Sequence, residues 1–376
     1  MNNIFVKRIK INKVRHLSGI DIPVSEGDTF KHVIFTGKNG SGKTSVVELM
    51  AQYIEGYDWA DIVFRLSPQI ELEMNISTSE AGASHFHDNN VLAYYGSHRI
   101  FTAAIPQQIE KVSIKSSYGM SETPGNEFLK LLLDMKMTQA LAAMNGNSDQ
   151  VQEIDLWFSQ LENILRDIYE DNTLKLQFDA NTFEFKICTK GHEPFGFNEA
   201  SDGFSAILDI VLDIMIRCQV GNSRITDFKK PGIVIIDEIE NHLHLKMQRT
   251  IMGYLTGLFP NIQFIVTTHS PFILNSIDNA VIYDLENRIL VTDGLTNVTY
   301  AGIVDSYFNT DELSEKLREK FNRFKYLVRE KHLTDEELVE IEKLEIYLDE
   351  IPDYLSVGIA TEYKRLKLEF EAREDF

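Results

Sequence analysis

Cysteine is almost missing from this chain: Cys188 and Cys218 are the two in 376 residues. Two thiols cannot build a disulfide framework, and their scarcity fits a reducing compartment. Long apolar runs are missing too. The greasiest segment, 206–216, is broken by Asp209 and Asp213 and is too short to span a bilayer. Residues 1–14 carry Lys7, Arg8, Lys10 and Lys13 among isolated apolar side chains, so no secretory signal is expected there. Basic charge is in deficit, with Lys+Arg 37 against Asp+Glu 57 and a net charge of −20. Proteins that coat duplex DNA neutralise phosphates with lysine and arginine, so that class is disfavoured, although a local basic groove is compatible. Internal repeats and low-complexity linkers are also lacking. These absences predict a cytoplasmic protein with no membrane partner. What is present is ordinary for a globular chain: 43% hydrophobic and 25% charged residues allow a real core. The length suits two to three domains.

Residues 3–36 alternate in strand fashion, ending in Val33-Ile34-Phe35. A glycine-rich turn, 37–42, follows, and 44–54 has helical spacing in Val46, Val47, Met50 and Ile54. Strand, glycine turn and helix open an α/β nucleotide fold. Over 102–171 the character changes. Breakers at Ile105-Pro106 and Thr123-Pro124-Gly125 precede two amphipathic stretches, 128–144 and 151–168, which predict an α-helical insertion. Alternation over 174–178 and 183–187 around Asp179-Ala180-Asn181 predicts a hairpin. The aliphatic run 233–236 reads as a strand buried on both faces of a parallel sheet, as do 262–267 and 281–283. From 311 to 376 the chain holds 19 acidic and 12 basic residues, with apolar positions at helical spacing; this predicts a solvated helical pair rather than a nucleic-acid arm.

The stretch Gly37-Lys38-Asn39-Gly40-Ser41-Gly42-Lys43-Thr44, followed by Ser45, fits the phosphate-loop pattern G-x-x-x-x-G-K-[ST]. Glycines let backbone N–H groups turn inward as an anion nest, and the next helix adds its positive N-terminal end. Lys43 is placed for β- and γ-phosphates, and the Thr44 hydroxyl for Mg²⁺. Ile233-Val234-Ile235-Ile236-Asp237-Glu238 supplies the other half of such a site, with Asp237 for the metal and Glu238 as a proton acceptor for water. Ala200-Ser201-Asp202-Gly203-Phe204 precedes a helix expected over 205–217. Ser201 reads either as its N-cap or as part of a serine–glycine signature, and both can hold. His242 and His244 are two apart, poor spacing for joint metal ligation, and His85-Phe86-His87-Asp88 reads as a polar loop.

With these motifs in this order, and with Thr267-Thr268-His269-Ser270-Pro271 after the strand 262–267, the chain resembles the ABC-type ATPases of the structural-maintenance-of-chromosomes and OLD-like group. Residues 3–56 and 195–300 carry the match. The resemblance implies an α/β fold: an ABC-type P-loop ATPase head, a mixed β-sheet with flanking helices, in an N-terminal lobe (1–101) and a C-terminal lobe (172–310). An α-helical insertion (102–171) and a C-terminal helical appendix (311–376) complete it. Two copies would form a homodimer around two Mg-ATP. Each site would take Lys43, Thr44, Asp237, Glu238 and the switch histidine His269 from one chain, and Ser201 and Gly203 from the other. Arg15 resembles the family's N-terminal arginine turn. Tyr94-Tyr95-Gly96-Ser97-His98-Arg99 occupies the slot of the glutamine lid loop but holds no glutamine, which leaves His98 and Arg99 without an assigned role. The signature departs from Leu-Ser-Gly-Gly-Gln at Asp202 and Phe204, which speaks against a transporter subunit. The tail is similar to those of ATPases in bacterial antiphage systems of the Septu, PARIS and retron-associated type. That likeness implies control of a separate effector such as a nuclease, with nucleic acid reached mainly through the partner. A repair or chromosome-maintenance ATPase acting directly on DNA is the alternative reading; a nucleotide-sensing scaffold with little turnover is the third.

Overall fold

The computed structural model describes residues 4–56, 69–75, 90–298 (except 116 and 220–225), 315–330, 333–349 and 357–371. Its contacts divide the chain into two compact units, Met1–Val298 and Thr299–Phe376. The first unit begins with β1 (Phe5–Val14), β2 (Leu17–Pro23), β3 (His32–Thr36), α1 (Lys43–Glu55), β4 (Ile70–Asn75) and β5 (Val91–Tyr95). After a stretch without regular structure and a 3-10 turn at Pro124–Glu127 come α2 (Phe128–Met144) and α3 (Ser148–Tyr169). A three-stranded ribbon follows: β6 (Lys175–Asp179), β7 (Glu184–Cys188) and β8 (Phe195–Gly196). The unit ends with α4 (Asp202–Arg217), β9 (Gly232–Ile236), α5 (Leu245–Leu258), β10 (Ile262–Thr267), α6 (Pro271–Leu274), β11 (Ala280–Asp284) and β12 (Ile289–Val291).

Aliphatic runs decide the centre. Every residue of β3, β9, β10 and β11 is buried, as expected for parallel strands covered on both faces. They assemble in the order β12-β11-β3-β10-β9-β5, all parallel except the antiparallel edge strand β12. The N-terminal alternation instead makes a separate antiparallel sheet, β2-β1-β4, with one polar face. Its buried side (Val6, Ile9, Ile11, Ile22, Ile70) joins Val46, Val47 and Met50 of α1 in one cluster with Phe35 and Ile235. The result is an α/β fold with a mixed six-stranded sheet and flanking helices.

Sequence periodicity missed β4 and β5. The insertion helices form as expected, with α3 one turn longer at its start, and pack on α4 and on the 3-10 turn before them. Helix α4 starts at Asp202, three residues before the expected 205.

The second unit differs from the expected helical pair. Among the described residues it contains three helices, α7 (Glu315–Leu327), α8 (Asp335–Asp349) and α9 (Val357–Glu371). Phe321, Phe324, Leu327, Ile341, Leu344, Leu348, Tyr363 and Leu366 bury one another in a core of their own. Two helices of this charge density leave an apolar stripe open on one side; the third closes it. Among the described residues, no helix is long and apolar enough to cross a membrane.

Candidate nucleotide site

Three motifs far apart in the chain meet because β3, β10 and β9 are neighbours running the same way. Register places Thr267 opposite Phe35, and Val266 opposite both Ile34 and Ile236. The segments leaving these strands therefore emerge side by side: 37–42 after β3, Asp237-Glu238 after β9, and Thr268-His269 after β10. Parallel sheets bind ligands at the carboxyl ends of their strands.

The loop 37–42 turns on left-handed backbone at Gly37 (φ 130°), Gly40 (φ 83°) and Gly42 (φ 99°). A Cβ on Gly37 would meet Ser41 Oγ at 2.9 Å, and one on Gly42 would meet Leu17 Cδ1 at 2.9 Å. Only glycine serves at these two positions. Lys43, the first residue of α1, is buried and donates from Nζ to the carbonyls of Gly37 (2.8 Å) and Lys38 (3.2 Å). Burial lowers its pKa, opposed by the carboxylates of Glu238, Glu240, Asp237 and Asp284. Thr44 Oγ1 donates to Asp237 Oδ2 at 2.9 Å, and Thr267 Oγ1 donates to Asp237 Oδ1 at 2.6 Å. Thr267 also accepts from the Glu238 backbone N–H at 2.7 Å, so one hydroxyl fixes both acidic residues.

Glu238 sits in the left-handed region (φ 47°), which is costly for a residue with a Cβ. Asn241 Nδ2 donates to its Oε2 at 2.7 Å and to the Ser97 carbonyl at 3.2 Å. Glu240 points back into the protein and accepts from the His269 backbone N–H. Burial raises the Glu240 pKa. Burial, then the neighbouring Lys43 charge, lowers that of His269, whose Nε2 is buried without a hydrogen-bond partner. A neutral imidazole with a free ring nitrogen is suited to meet a phosphate oxygen.

Of the two readings of 200–204, the structure bears on the N-cap. Ser201 occupies the N-cap position of α4, with extended backbone, but its hydroxyl caps no backbone N–H. The N-cap reading is thus correct for position and wrong for the side-chain bond; Ser201 and Asp202 stand exposed. Gly203 is buried against the loop after β9, where a Cβ would meet the His242 carbonyl at 2.8 Å. Arg15 is exposed at the left-handed turn between β1 and β2 (φ 54°). It does not line the cleft of about 370 Å³ beside the phosphate loop; His16, Leu17, Lys38, Asn39, Gly40, Ser41, Leu285, Glu286 and Arg288 do. His98 is exposed and Arg99 is buried. His242 and His244 are exposed, and 85–88 lies outside the described residues. Among the described residues, no group of three or more His, Cys, Asp or Glu is placed to hold a metal ion.

Magnesium with a nucleotide fits what is present. A hydroxyl and a carboxylate oxygen already meet at Thr44 and Asp237, a pair of hard oxygen donors of the kind magnesium takes beside phosphate oxygens. Ser41 Oγ, which belongs to the cleft's lining, and His269 Nε2 after β10 are buried polar atoms without partners. Sequence reasoning assigned no role to Thr267, Glu240, Asn241 or Arg99. For the first three, positions next to the acidic pair or the histidine His269 were the available signal; Arg99, 138 positions before Asp237, offered none.

Comparison with known proteins gives partial matches. The family described as "AAA domain, putative AbiEii toxin, Type IV TA system" matches residues 149–275. The chain is 25% identical to the Septu protein PtuA of Bacillus mycoides (strain KBAB4), over 94% of this chain and 51% of that protein. It is 36% identical to the Retron Vc95 probable ATPase of Vibrio cholerae serotype O1 biovar El Tor, over 30% of this chain and 23% of that one. The SMC head bound to the C-winged helix domain of ScpA superposes with a TM-score of 0.40 at 12% identity, covering 78% of this chain and 98% of that chain. The chain is an α/β protein with a phosphate-loop motif at the carboxyl end of its parallel strands. It is similar to the Septu and retron ATPases and spans about half the length of the first of these relatives.

Proposed function

We propose that this chain is a magnesium-dependent, ATP-hydrolysing regulatory subunit that dimerises around ATP and controls a separate effector, such as a nuclease, in antiphage defence. One observation carries the reading: the Thr44 hydroxyl and the Asp237 carboxylate, 193 positions apart, meet at 2.9 Å with Glu238 beside them. Loop 37–42 and Lys43 bind the phosphates. Thr44 and Asp237 would hold magnesium, which would supply neutralisation of charge on the phosphate oxygens. Glu238, oriented by Asn241, takes the proton of the attacking water, and the free Nε2 of His269 faces the γ-phosphate side. The exposed Ser201, Asp202, His242, His244 and Leu245 form the face offered to a second copy. The similarity to Septu and retron ATPases supports the defence setting and a cytoplasmic location.

Lys43→Ala is expected to lose nucleotide binding. Glu238→Gln is expected to bind ATP, elute as a dimer and hydrolyse roughly 10²–10⁴-fold more slowly, the span of general-base contributions. A Glu238→Gln protein turning over at the parental rate would sink the role given to Glu238. Recovery of that variant with Mg-ATP from its native host tests the effector: a stoichiometric nuclease supports the reading, and replication proteins alone overturn it.

A further inference from the structure

Arg99 follows β5 in the segment 96–99 and is 2% exposed, an unusual position for a guanidinium. Its bonds explain the burial. NH1 donates to the carbonyls of Gly96 (2.6 Å) and Asp237 (2.5 Å), and NH2 donates to the Glu238 carbonyl at 2.7 Å. Its Nε has no hydrogen-bond partner. The charge lies in the field of Asp209 on α4 and of Glu240, Asp237 and Glu238. One side chain therefore grips two consecutive carbonyls at the point where the backbone enters the left-handed conformation of Glu238. That conformation persists only where its surroundings hold it.

We infer that Arg99 is a positioning residue for hydrolysis: its guanidinium, bound to the Asp237 and Glu238 carbonyls, holds Glu238 where its carboxylate can accept the proton from water. The inference rests on the base role proposed for Glu238. Arg99 reaches no phosphate-loop atom; its bonds all go to backbone carbonyls, so its contribution falls on turnover rather than on nucleotide affinity. Misplacing a reacting group by about 1 Å is enough to cost on the order of 100-fold in rate.

The test is a cycle of four full-length proteins: parent, Arg99→Met, Glu238→Gln and the double variant. It is read by single-turnover hydrolysis, ATP affinity, and backbone hydrogen exchange of the 237–243 segment without nucleotide. In the parent background Arg99→Met should lower the rate roughly 10–100-fold, with ATP affinity unchanged within about twofold. In the Glu238→Gln background the same change should cost less than about twofold, since the group it positions is gone. Exchange across 237–243 should quicken. Arg99→Lys, which keeps the charge but not the fork, should recover part of the rate, and it carries the same cycle if the methionine variant does not fold. Equal losses in both backgrounds, as a general loss of structure would give, overturn the inference, as does a parental rate for Arg99→Met. Parental hydrolysis by Glu238→Gln instead defeats the base assignment and this inference with it, and is recognisable from that variant alone.

Discussion

Gly203 and Gly253 both lie in helices, yet alanine should act on them with opposite sign. At Gly203 an added Cβ falls 2.8 Å from the His242 carbonyl, and backbone cannot rotate away as a side-chain tip can. Restoring ordinary contact of about 3.4 Å moves the loop by roughly 0.6 Å, an overpacking that costs about 1–3 kcal/mol. Alanine's helix propensity and the stiffer unfolded chain return about 0.5–1 kcal/mol. The net expectation for Gly203→Ala is a loss of about 1–2 kcal/mol. At Gly253, in α5, nothing lies within 4 Å of the added Cβ, so only the gain of about 0.5–1 kcal/mol remains. At roughly 2–4 °C per kcal/mol for a domain of this order, the thermal midpoints should move down by about 2–8 °C and up by about 1–4 °C. Both are measured on nucleotide-free protein, with urea midpoints as an isothermal check. A Gly203→Ala midpoint at or above the parental one, or both variants moving together, refutes the close approach of the His242 carbonyl to the start of α4.

Stability should fall with acid because of His32. Burial holds its imidazole down to about 4 against an ordinary 6.5, while Nδ1 accepts from the Phe264 N–H at 3.1 Å. The unfolded chain takes the proton first, so this contribution is complete above pH 6.5 and drains away toward pH 4, reaching about 3 kcal/mol. Urea midpoints between pH 5 and 7.5 should show the slope, and His32→Asn should flatten it; an unchanged slope removes His32 as the cause. The buried pair Arg217–Asp213 (2.7 Å) also accepts the Tyr95 hydroxyl at 2.7 Å and the Gly125 N–H at 2.8 Å on the carboxylate. Breaking it with Arg217→Met strands that charge and the carbonyls of Leu92 and Gly119, a loss of about 3–5 kcal/mol. A denaturant midpoint corresponding to less than about 1 kcal/mol would show that water replaces the guanidinium.

The central strands were legible because burial on both faces selects apolar runs: 233–236 is wholly aliphatic, and 262–267 departs inside the run only at Gln263, whose amide bonds the Val6 backbone. The phosphate loop was legible because its glycines are required by local backbone geometry. β5, by contrast, is the short run Val91-Leu92-Ala93-Tyr94-Tyr95, whose strand character comes from pairing with β9, about 140 positions away. Periodicity holds no record of that partner. The third helix of the tail carries its apolar residues Tyr363 and Leu366 among lysines and glutamates, so only packing on Phe324 and its neighbours reveals the buried side. Arg99 was hidden for a similar reason. An arginine beside a histidine in a polar segment reads as solvated, and what draws it inward is a pair of carbonyls supplied by another strand.

The contacts of loop 238–244 give the site a mechanical order. Its Asn241 holds the Glu238 carboxylate, its Glu240 holds the His269 backbone, and its His242 carbonyl rests against Gly203 at the start of α4. The residues proposed to face a second copy, Ser201 and His242, therefore lie on the same short segments that aim the hydrolytic groups. A displacement of Ser201 by a partner-bound γ-phosphate would press on His242 through the methyl-free surface of Gly203 and reach Glu238, four positions away. On this reasoning dimer closure and hydrolysis share one loop. Gly203→Ala, which shifts that loop without touching nucleotide in its own chain, should then slow turnover by more than its loss of stability explains. Hydrolysis measured well below its thermal midpoint, with the protein fully folded, decides this: a parental rate there would separate the start of α4 from loop 238–244 functionally.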